Sequence, residues 1–237
     1  MAPPTPDTLR TAEWDDSYRQ GGNILFAPHE EVVRFVSKYI RKRTGLDQMR
    51  DVVAPTANQR LLDLGCGIGR HVIFGHHMGL EAYGIDLSAV AVDVARQWAE
   101  RERMPDPSSR VRQGDVRALP WPDGFFGFAI SHGVLDSMPY DVARAACVDL
   151  ARALAPGALF YCDLVSGDDS SHARSFSGEE TVETPHEHGT IQLYFNAPLI
   201  DRLREGLFDL VECVLIKRGD VLRGGYTSRY HLVLRKP

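Results

Sequence analysis

The chain lacks the features that would commit it to a membrane, to nucleic acid or to a disulfide framework. No apolar run approaches the roughly 20 residues that a membrane helix requires. There is no basic excess: the formal net charge is -5, so no global positive field recruits nucleic acid. Cysteine is scarce. The four residues Cys66, Cys147, Cys162 and Cys213 form no C-x-x-C pair, and they read as buried free thiols of a reducing compartment. The stretch Met1-Ala2-Pro3-Pro4-Thr5-Pro6 has neither the charged start nor the apolar core of a secretory signal, and a cytoplasmic location is expected. Metal-ligand spacing is missing too. His71, His76 and His77 share a predicted helix and His186-Glu187-His188 sits in a predicted loop, but neither group has the i, i+4 pairing of H-E-x-x-H, so no metal site is expected.

What is present is an ordinary globular composition. A chain of 237 residues with 43% hydrophobic and 25% charged residues suits one domain with its own core. Residues 1–12 are rich in proline and threonine and are expected to be a disordered tail, leaving 13–237 as the domain. Residues 13–50 read as a helical cap. In it Val32, Val33, Val36, Tyr39 and Ile40 mark a helix over 28–44, with Arg41-Lys42-Arg43 as its basic last turn and Gly45 as its stop.

From residue 60 onward, short apolar runs alternate with helical patterns. Strands are expected at 60–64, 81–85, 110–113, 126–131 and 158–164, with helices at 69–78, 88–104 and 140–154 between them. Such alternation implies crossover units and a parallel sheet covered on both faces. Residues 166–190 break the pattern with a polar, non-periodic stretch, which marks a lid or insertion. A helix over 198–207 follows, then two β-rich runs, 208–217 and 228–234. Their connection is too short for a helical crossover, so they pair antiparallel.

The densest local signal is Leu61-Leu62-Asp63-Leu64-Gly65-Cys66-Gly67-Ile68-Gly69, an apolar strand running through an acid into three alternate glycines. Glycine permits positive φ and lets a ligand approach the backbone with no Cβ in the way. Alone, this turn suits two nucleotide classes. A dinucleotide site has G-x-G-x-x-G, whereas this chain has G-x-G-x-G. Three predicted strands in a row also end in an acid: Asp63, Asp86 and Asp115. Ligands of open parallel sheets bind beyond those carboxyl ends. Asp86 suits both hydroxyls of a ribose and does not separate the two classes. Asp115 suits an adenine amino group and favours the second, with the Val116 N–H at a ring nitrogen.

Four segments in order carry a family resemblance: Leu61 to Gly69, Tyr83-Gly84-Ile85-Asp86-Leu87-Ser88, Gly114-Asp115-Val116-Arg117-Ala118-Leu119-Pro120, and Arg152-Ala153-Leu154-Ala155-Pro156-Gly157-Ala158-Leu159. Over about 55–165 the chain resembles the class I S-adenosylmethionine-dependent methyltransferases. The one departure is Ala158, where that family often has a second glycine. The resemblance implies an α/β fold with a doubly wound seven-stranded sheet, six strands parallel and the last antiparallel, and helices on both faces. It implies S-adenosylmethionine as cofactor and S-adenosylhomocysteine as product. The methionine part would lie at Asp63 and at the turn of Gly65, Cys66, Gly67 and Gly69, with Ser131 nearby. The ribose would be held by Asp86, the adenine by Asp115 and Val116, and Leu87 would pack on the adenine face.

Methyl transfer from a sulfonium is mainly a positioning problem, and a general base helps when the nucleophile carries a proton. His132, just after the strand ending at Ser131, is the candidate base. Tyr18, Asp136 and Arg229 are the candidate substrate contacts. The Asn/Asp-Pro-Pro-aromatic motif common in methylases of DNA bases is absent after that strand, where the chain reads Ser131-His132-Gly133-Val134. The acceptor is therefore expected to be a small molecule methylated on O or N. Methylation of a protein or RNA, and a nicotinamide-dependent oxidoreductase, are the alternatives. The sequence leaves open whether the protein is a monomer or a homodimer.

Overall fold

A computed structural model describes residues 6–54, 58–184 and 187–237. Two helices come first, α1 (Pro6–Arg19) and α2 (Glu30–Tyr39), followed by a hairpin of β1 (Arg41–Arg43) and β2 (Met49–Asp51). Helix α1 begins inside the stretch expected to be a tail. Helix α2 stops earlier than its sequence pattern suggested. Its apolar face ends at the fully buried Ile40, whose carbonyl is taken by the Val52 N–H at 2.8 Å. The basic triplet is therefore a strand rather than a last helical turn. The Arg41 guanidinium hydrogen-bonds the carbonyls of Met78 and Gly79, at 3.0 and 2.8 Å, and pairs with Asp51.

The centre of the molecule is one mixed sheet. Strands β3 (Arg60–Leu64), β4 (Glu81–Asp86), β5 (Val111–Gln113), β6 (Phe126–Ser131), β7 (Leu154–Val165), β10 (Asp209–Gly219) and β11 (Tyr226–Arg235) lie in the order β10-β11-β7-β6-β3-β4-β5. Helices α3 (Arg70–His77), α4 (Ala89–Arg101), α5 (Pro107–Arg110), α6 (Tyr140–Ala153) and α7 (Ala197–Arg204) connect them. Neighbours from β7 through β5 are parallel. Only β11 runs against its neighbours, seated between β7 and β10, so six strands share one direction as expected.

Side-chain alternation divides the core between the two faces. Leu61, Phe128, Ile130, Leu159, Tyr161 and Val233 face Val32, Phe35 and Val36 of α2. Leu62, Leu64, Ala129, Phe160, Cys162 and Leu232 face Ala143, Ala146 and Leu150 of α6. Three of the four cysteines are buried, as expected. Cys213 is exposed, because β10 is an edge strand that no layer covers fully. The polar stretch after β7 is not structureless: it forms an antiparallel hairpin of β8 (Gly178–Thr181) and β9 (Ile191–Tyr194). Within the His186-Glu187-His188 triplet, His186 lies outside the described residues.

This topology creates the site. Chain order runs outward from β3 to β4 and β5, then returns to β6 on the other side of β3. The loops after β3 and β6 diverge there, and a crevice opens at the carboxyl edge between them.

Candidate active site

The glycine turn after β3 is stitched to the next strand. Gly65 N and Cys66 N both donate to the Ile85 carbonyl, at 2.8 and 2.9 Å. All three glycines have positive φ, +72° at Gly65, +52° at Gly67 and +87° at Gly69, but for different neighbours. A Cβ on Gly67 would lie 2.6 Å from the Tyr18 hydroxyl, so α1 closes directly over the turn. A Cβ on Gly69 would meet the Ala95 methyl at 3.0 Å, so this glycine lets α3 and α4 pack closely and does not face the cavity.

Asp86 ends β4 with both oxygens used. One accepts from Gly67 N at 2.7 Å and the other from Ser88 N at 2.9 Å. Burial nonetheless pushes its carboxyl up to about 6, because loss of hydration outweighs the two backbone donors. Asp63 is in the opposite situation. It is 2% exposed, yet neither oxygen accepts a hydrogen bond among the described residues. The nearest cation-capable group is His71 Nδ1, at 3.7 Å from Oδ2. An ionised carboxylate held dry without a donor is costly, and a cationic or amino-bearing partner would relieve that cost.

Around the turn lies a cavity of about 320 Å³, a size that suits a cofactor-sized ligand. It is lined by Gly65, Cys66, Gly67, Asp86, Leu87, Asp115 and Val116, as the sequence pattern anticipates, and by Trp14 and Tyr18 from α1. Asp115 receives the Arg117 guanidinium through two nitrogens, at 2.9 and 2.5 Å. Asp63, Gly69 and Ser131 do not line it. Ser131 is buried at the end of β6, and its hydroxyl has no partner among the described residues.

His132 lines both this cavity and a second one of about 450 Å³, so the two adjoin at its ring. Arg70 Nη2 approaches His132 Nδ1 at 3.2 Å. A guanidinium can only donate, so Nδ1 is the accepting nitrogen and Nε2 carries the hydrogen. Nε2 stands 3.4 Å from Asp163 Oδ2. Burial pushes the imidazole down to about 3, against the pull of Asp163, so the ring is neutral.

The other two candidate substrate contacts belong to one buried ion cluster. Arg229 Nη1 donates to Asp136 Oδ2 at 2.7 Å and to Asp163 Oδ2 at 2.6 Å. Asp136 is fully buried and also accepts from Val165 N at 2.8 Å, so it ties the loop after β6 to β7 and faces neither cavity. Arg229 does line the second cavity. Burial raises the Asp136 carboxyl, while the guanidinium of Arg229 beside Asp163 holds that carboxyl low.

Sequence reasoning missed His29, Arg70, Asp163 and His231. Asp163 was visible as an acid inside the apolar run 158–164, where a charge requires a buried partner. His29 precedes two acids at a helix start and is the N-cap of α2, its Nδ1 accepting from Glu31 N at 3.2 Å. Nothing in the sequence brings His29, His71, His132 and His231 together. The fold sets the ring of His29 at 4.1 Å from His132 and 6.0 Å from His231, and that of His71 at 5.6 Å from His132.

Comparison with known proteins places this geometry. A family model described as a methyltransferase domain matches residues 61–157. Over 170 residues the chain is 24% identical to a 2-heptyl-1-hydroxyquinolin-4(1H)-one methyltransferase of Mycobacteroides abscessus, covering 72% of this chain and 69% of that protein. It is 26% identical over 147 residues to a ubiquinone biosynthesis O-methyltransferase of Dinoroseobacter shibae, covering 61% of this chain and only 57% of that one. Among solved structures, a Burkholderia thailandensis 1,6-didemethyltoxoflavin-N1-methyltransferase with bound S-adenosylhomocysteine superposes with a TM-score of 0.65. It is 17% identical and covers all of this chain and 92% of its own.

Proposed function

The chain belongs to the class I S-adenosylmethionine-dependent methyltransferases, and from that premise we propose that it transfers a methyl group to an oxygen or nitrogen of a small-molecule acceptor by in-line displacement. The observation that carries the reading is Asp63. A dry carboxylate with no hydrogen-bond donor, next to a glycine turn and a cofactor-sized cavity, fits the ammonium of a methionine moiety. When bound, the cofactor supplies a sulfonium methyl group, which is already electrophilic.

The chain's own residues then have defined work. Asp63 holds the amino group, although it sits behind the cavity surface. The turn of Gly65, Cys66 and Gly67 gives close backbone approach, and Gly69 acts by letting α3 pack. Asp86 presents its carboxylate to the ribose hydroxyls while tying down the turn, and Asp115 and Val116 take the adenine edge. Tyr18 and Trp14 cover the site from α1, which excludes water. His132 takes no proton from the acceptor in this reading. Its Nδ1 accepts from Arg70 and its Nε2–H points toward Asp163, so it positions the groups around it where the two cavities adjoin. Asp136 acts through Arg229 as a brace of the wall.

Three of the similar proteins are named for a hydroxyquinolone, for ubiquinone biosynthesis and for a toxoflavin precursor, which supports a small acceptor, whereas a fourth, 29% identical over 151 residues, is named for ribosomal protein L11 and keeps a protein acceptor as the second reading. Calorimetric titration with S-adenosylmethionine, S-adenosylhomocysteine and NADH tests the cofactor. Heat with the two sulfur ligands and none with NADH is expected, and the reverse pattern overturns the reading. A panel of hydroxylated and amino heterocycles, scored by release of S-adenosylhomocysteine, tests the acceptor class.

A further inference from the structure

The second cavity has an unusual balance of hydrogen-bonding groups. Three imidazoles line it, His29, His132 and His231, and the hydrogen-bond partners of each assign which nitrogen carries hydrogen. His29 Nδ1 accepts the Glu31 N–H at 3.2 Å as the cap of α2, so its hydrogen is on Nε2. The Tyr161 hydroxyl lies 2.8 Å from His231 Nδ1 and has no other partner among the described residues. Tyr161 is buried and keeps its proton, because burial raises the phenol far above its ordinary value. A neutral phenol can donate or accept, but this buried hydrogen has no other acceptor among the described residues, so it is assigned to Nδ1, which puts the His231 hydrogen on Nε2. His132 is bound by the same logic through Arg70, with Nε2–H toward Asp163. All three rings are hydrogen-bond donors, and none offers a lone pair to a substrate proton.

The carboxylates in and behind the chamber wall are each paired, although Asp136 Oδ1 itself accepts no hydrogen bond among the described residues. Asp163 and Asp136 share Arg229, Glu30 pairs with Arg218 at 3.1 Å, and Asp169 accepts from His172. Among the described residues the chamber thus offers donors from its buried wall, and its carboxylates are engaged by cations or N–H groups. An acceptor that must lose a proton to a buried side chain there finds no imidazole lone pair to take it. An acceptor that arrives ionised finds two imidazole N–H groups on nearly parallel rings, tilted by 14° with centroids 6.0 Å apart.

We infer that this chamber holds the acceptor as the oxyanion of an acidic hydroxyl compound, a phenol, enol or N-hydroxy heterocycle, with His29 and His231 as its hydrogen-bond donors. The inference rests on the methyltransferase reading above and narrows its substrate class. The acceptor's proton goes to water as the compound binds, so the neutral imidazoles remain donors throughout. Neutral imidazole suits this role, and burial lowers both His29 and His231 from their ordinary value.

The experiment uses 4-nitrophenol as probe, because its phenolate has a visible absorption band that the phenol lacks, with 4-nitroanisole as the form without an ionisable oxygen. Both are titrated into the full-length protein, alone and saturated with S-adenosylhomocysteine. The expected result is a bound phenolate band at a pH where the free probe is mostly protonated, and binding of 4-nitroanisole roughly tenfold weaker or worse. H231F removes one donor. H29S removes the other and keeps a good N-cap, which guards against a folding defect. Each is expected to weaken phenolate binding about tenfold and to return the probe's ionisation toward its solution value. Binding as the neutral phenol, equal affinity for 4-nitroanisole, or unaltered phenolate binding in both variants overturns the inference. Failure of S-adenosylhomocysteine to bind overturns the cofactor assignment instead, and the probe arm on the protein alone still decides the chamber.

Discussion

Asp63 Oδ2 stands 3.7 Å from His71 Nδ1, and neither Asp63 oxygen accepts a hydrogen bond among the described residues. The separation is too long for a hydrogen bond, so the imidazole orients toward the carboxylate without satisfying it. His71 is itself fixed from the other side, because its Nε2 accepts the His29 N–H at 3.3 Å. The pair leaves both Asp63 oxygens without a donor beside the glycine turn.

Removing that charge should separate stability from function. Asp63→Asn takes an unsatisfied buried ion out of the native state, and a gain of 1 kcal/mol raises the unfolding midpoint by about 2–4 °C at this chain length. The same change should weaken S-adenosylhomocysteine roughly tenfold or more, since a charge-assisted hydrogen bond is lost. Thermal unfolding and calorimetry check the two signs. A variant that is less stable and binds as before would mean that Asp63 serves the fold alone.

Asp86 makes cofactor binding depend on pH. Its carboxyl is pushed up to about 6 in the fold, against 3.8 for an ordinary aspartate. Between those values the native state keeps a proton that the unfolded chain has lost. The free protein therefore loses stability as pH rises through that window, by about 3 kcal/mol in all. A ligand whose hydroxyls donate to Asp86 prefers the ionised form. S-adenosylhomocysteine should bind severalfold more weakly at about pH 5 than at about pH 7. A flat calorimetric profile would remove Asp86 from the ribose contact.

Gly67 and Tyr18 should be coupled. Gly67→Ala forces a positive φ on a residue with a side chain, which costs about 1–2 kcal/mol, and drives its methyl into the Tyr18 hydroxyl. Tyr18→Phe removes that oxygen. The double variant should be more stable than the sum of the single changes by about 0.5 kcal/mol or more in urea unfolding. Strict additivity would show that α1 does not rest on the turn in solution.

Arg229 should be worth far more in its absence than its single side chain suggests. Arg229→Met leaves Asp136 and Asp163 buried with no cation between them, a loss of about 3–5 kcal/mol. Asp136→Asn in the same chain should recover part of it, because Asp163 keeps the Gly133 N–H at 2.7 Å. Denaturant midpoints compare the two. Equal stability of wild type and Arg229→Met would dissolve the cluster.

Much of the fold was legible because each parallel strand carries its own signal. The runs 60–64 and 126–131 became strands with those bounds, and Ser88 caps α4 as a serine before a helical pattern should. The helix expected over 28–44 was too long, because the pattern of Val32 to Ile40 says where an apolar face lies and not where the next segment turns back. The exposure of Cys213 was hidden for a related reason. An apolar strand reads alike in the middle of a sheet and at its edge.

The sequence alone determined the glycine turn, the acids Asp63 and Asp86 at the ends of their strands and Asp115 just beyond its own, and hence the cofactor class. These depend on neighbours within a few residues, which chain order preserves. Only the tertiary structure decided what the remaining polar residues do. It put Asp136 into a buried ion cluster, set His132 between Arg70 and Asp163, and brought His29 and His231 to one chamber from positions 202 residues apart. The role of an imidazole depends on which nitrogen its neighbours leave protonated, and those neighbours are assigned by packing.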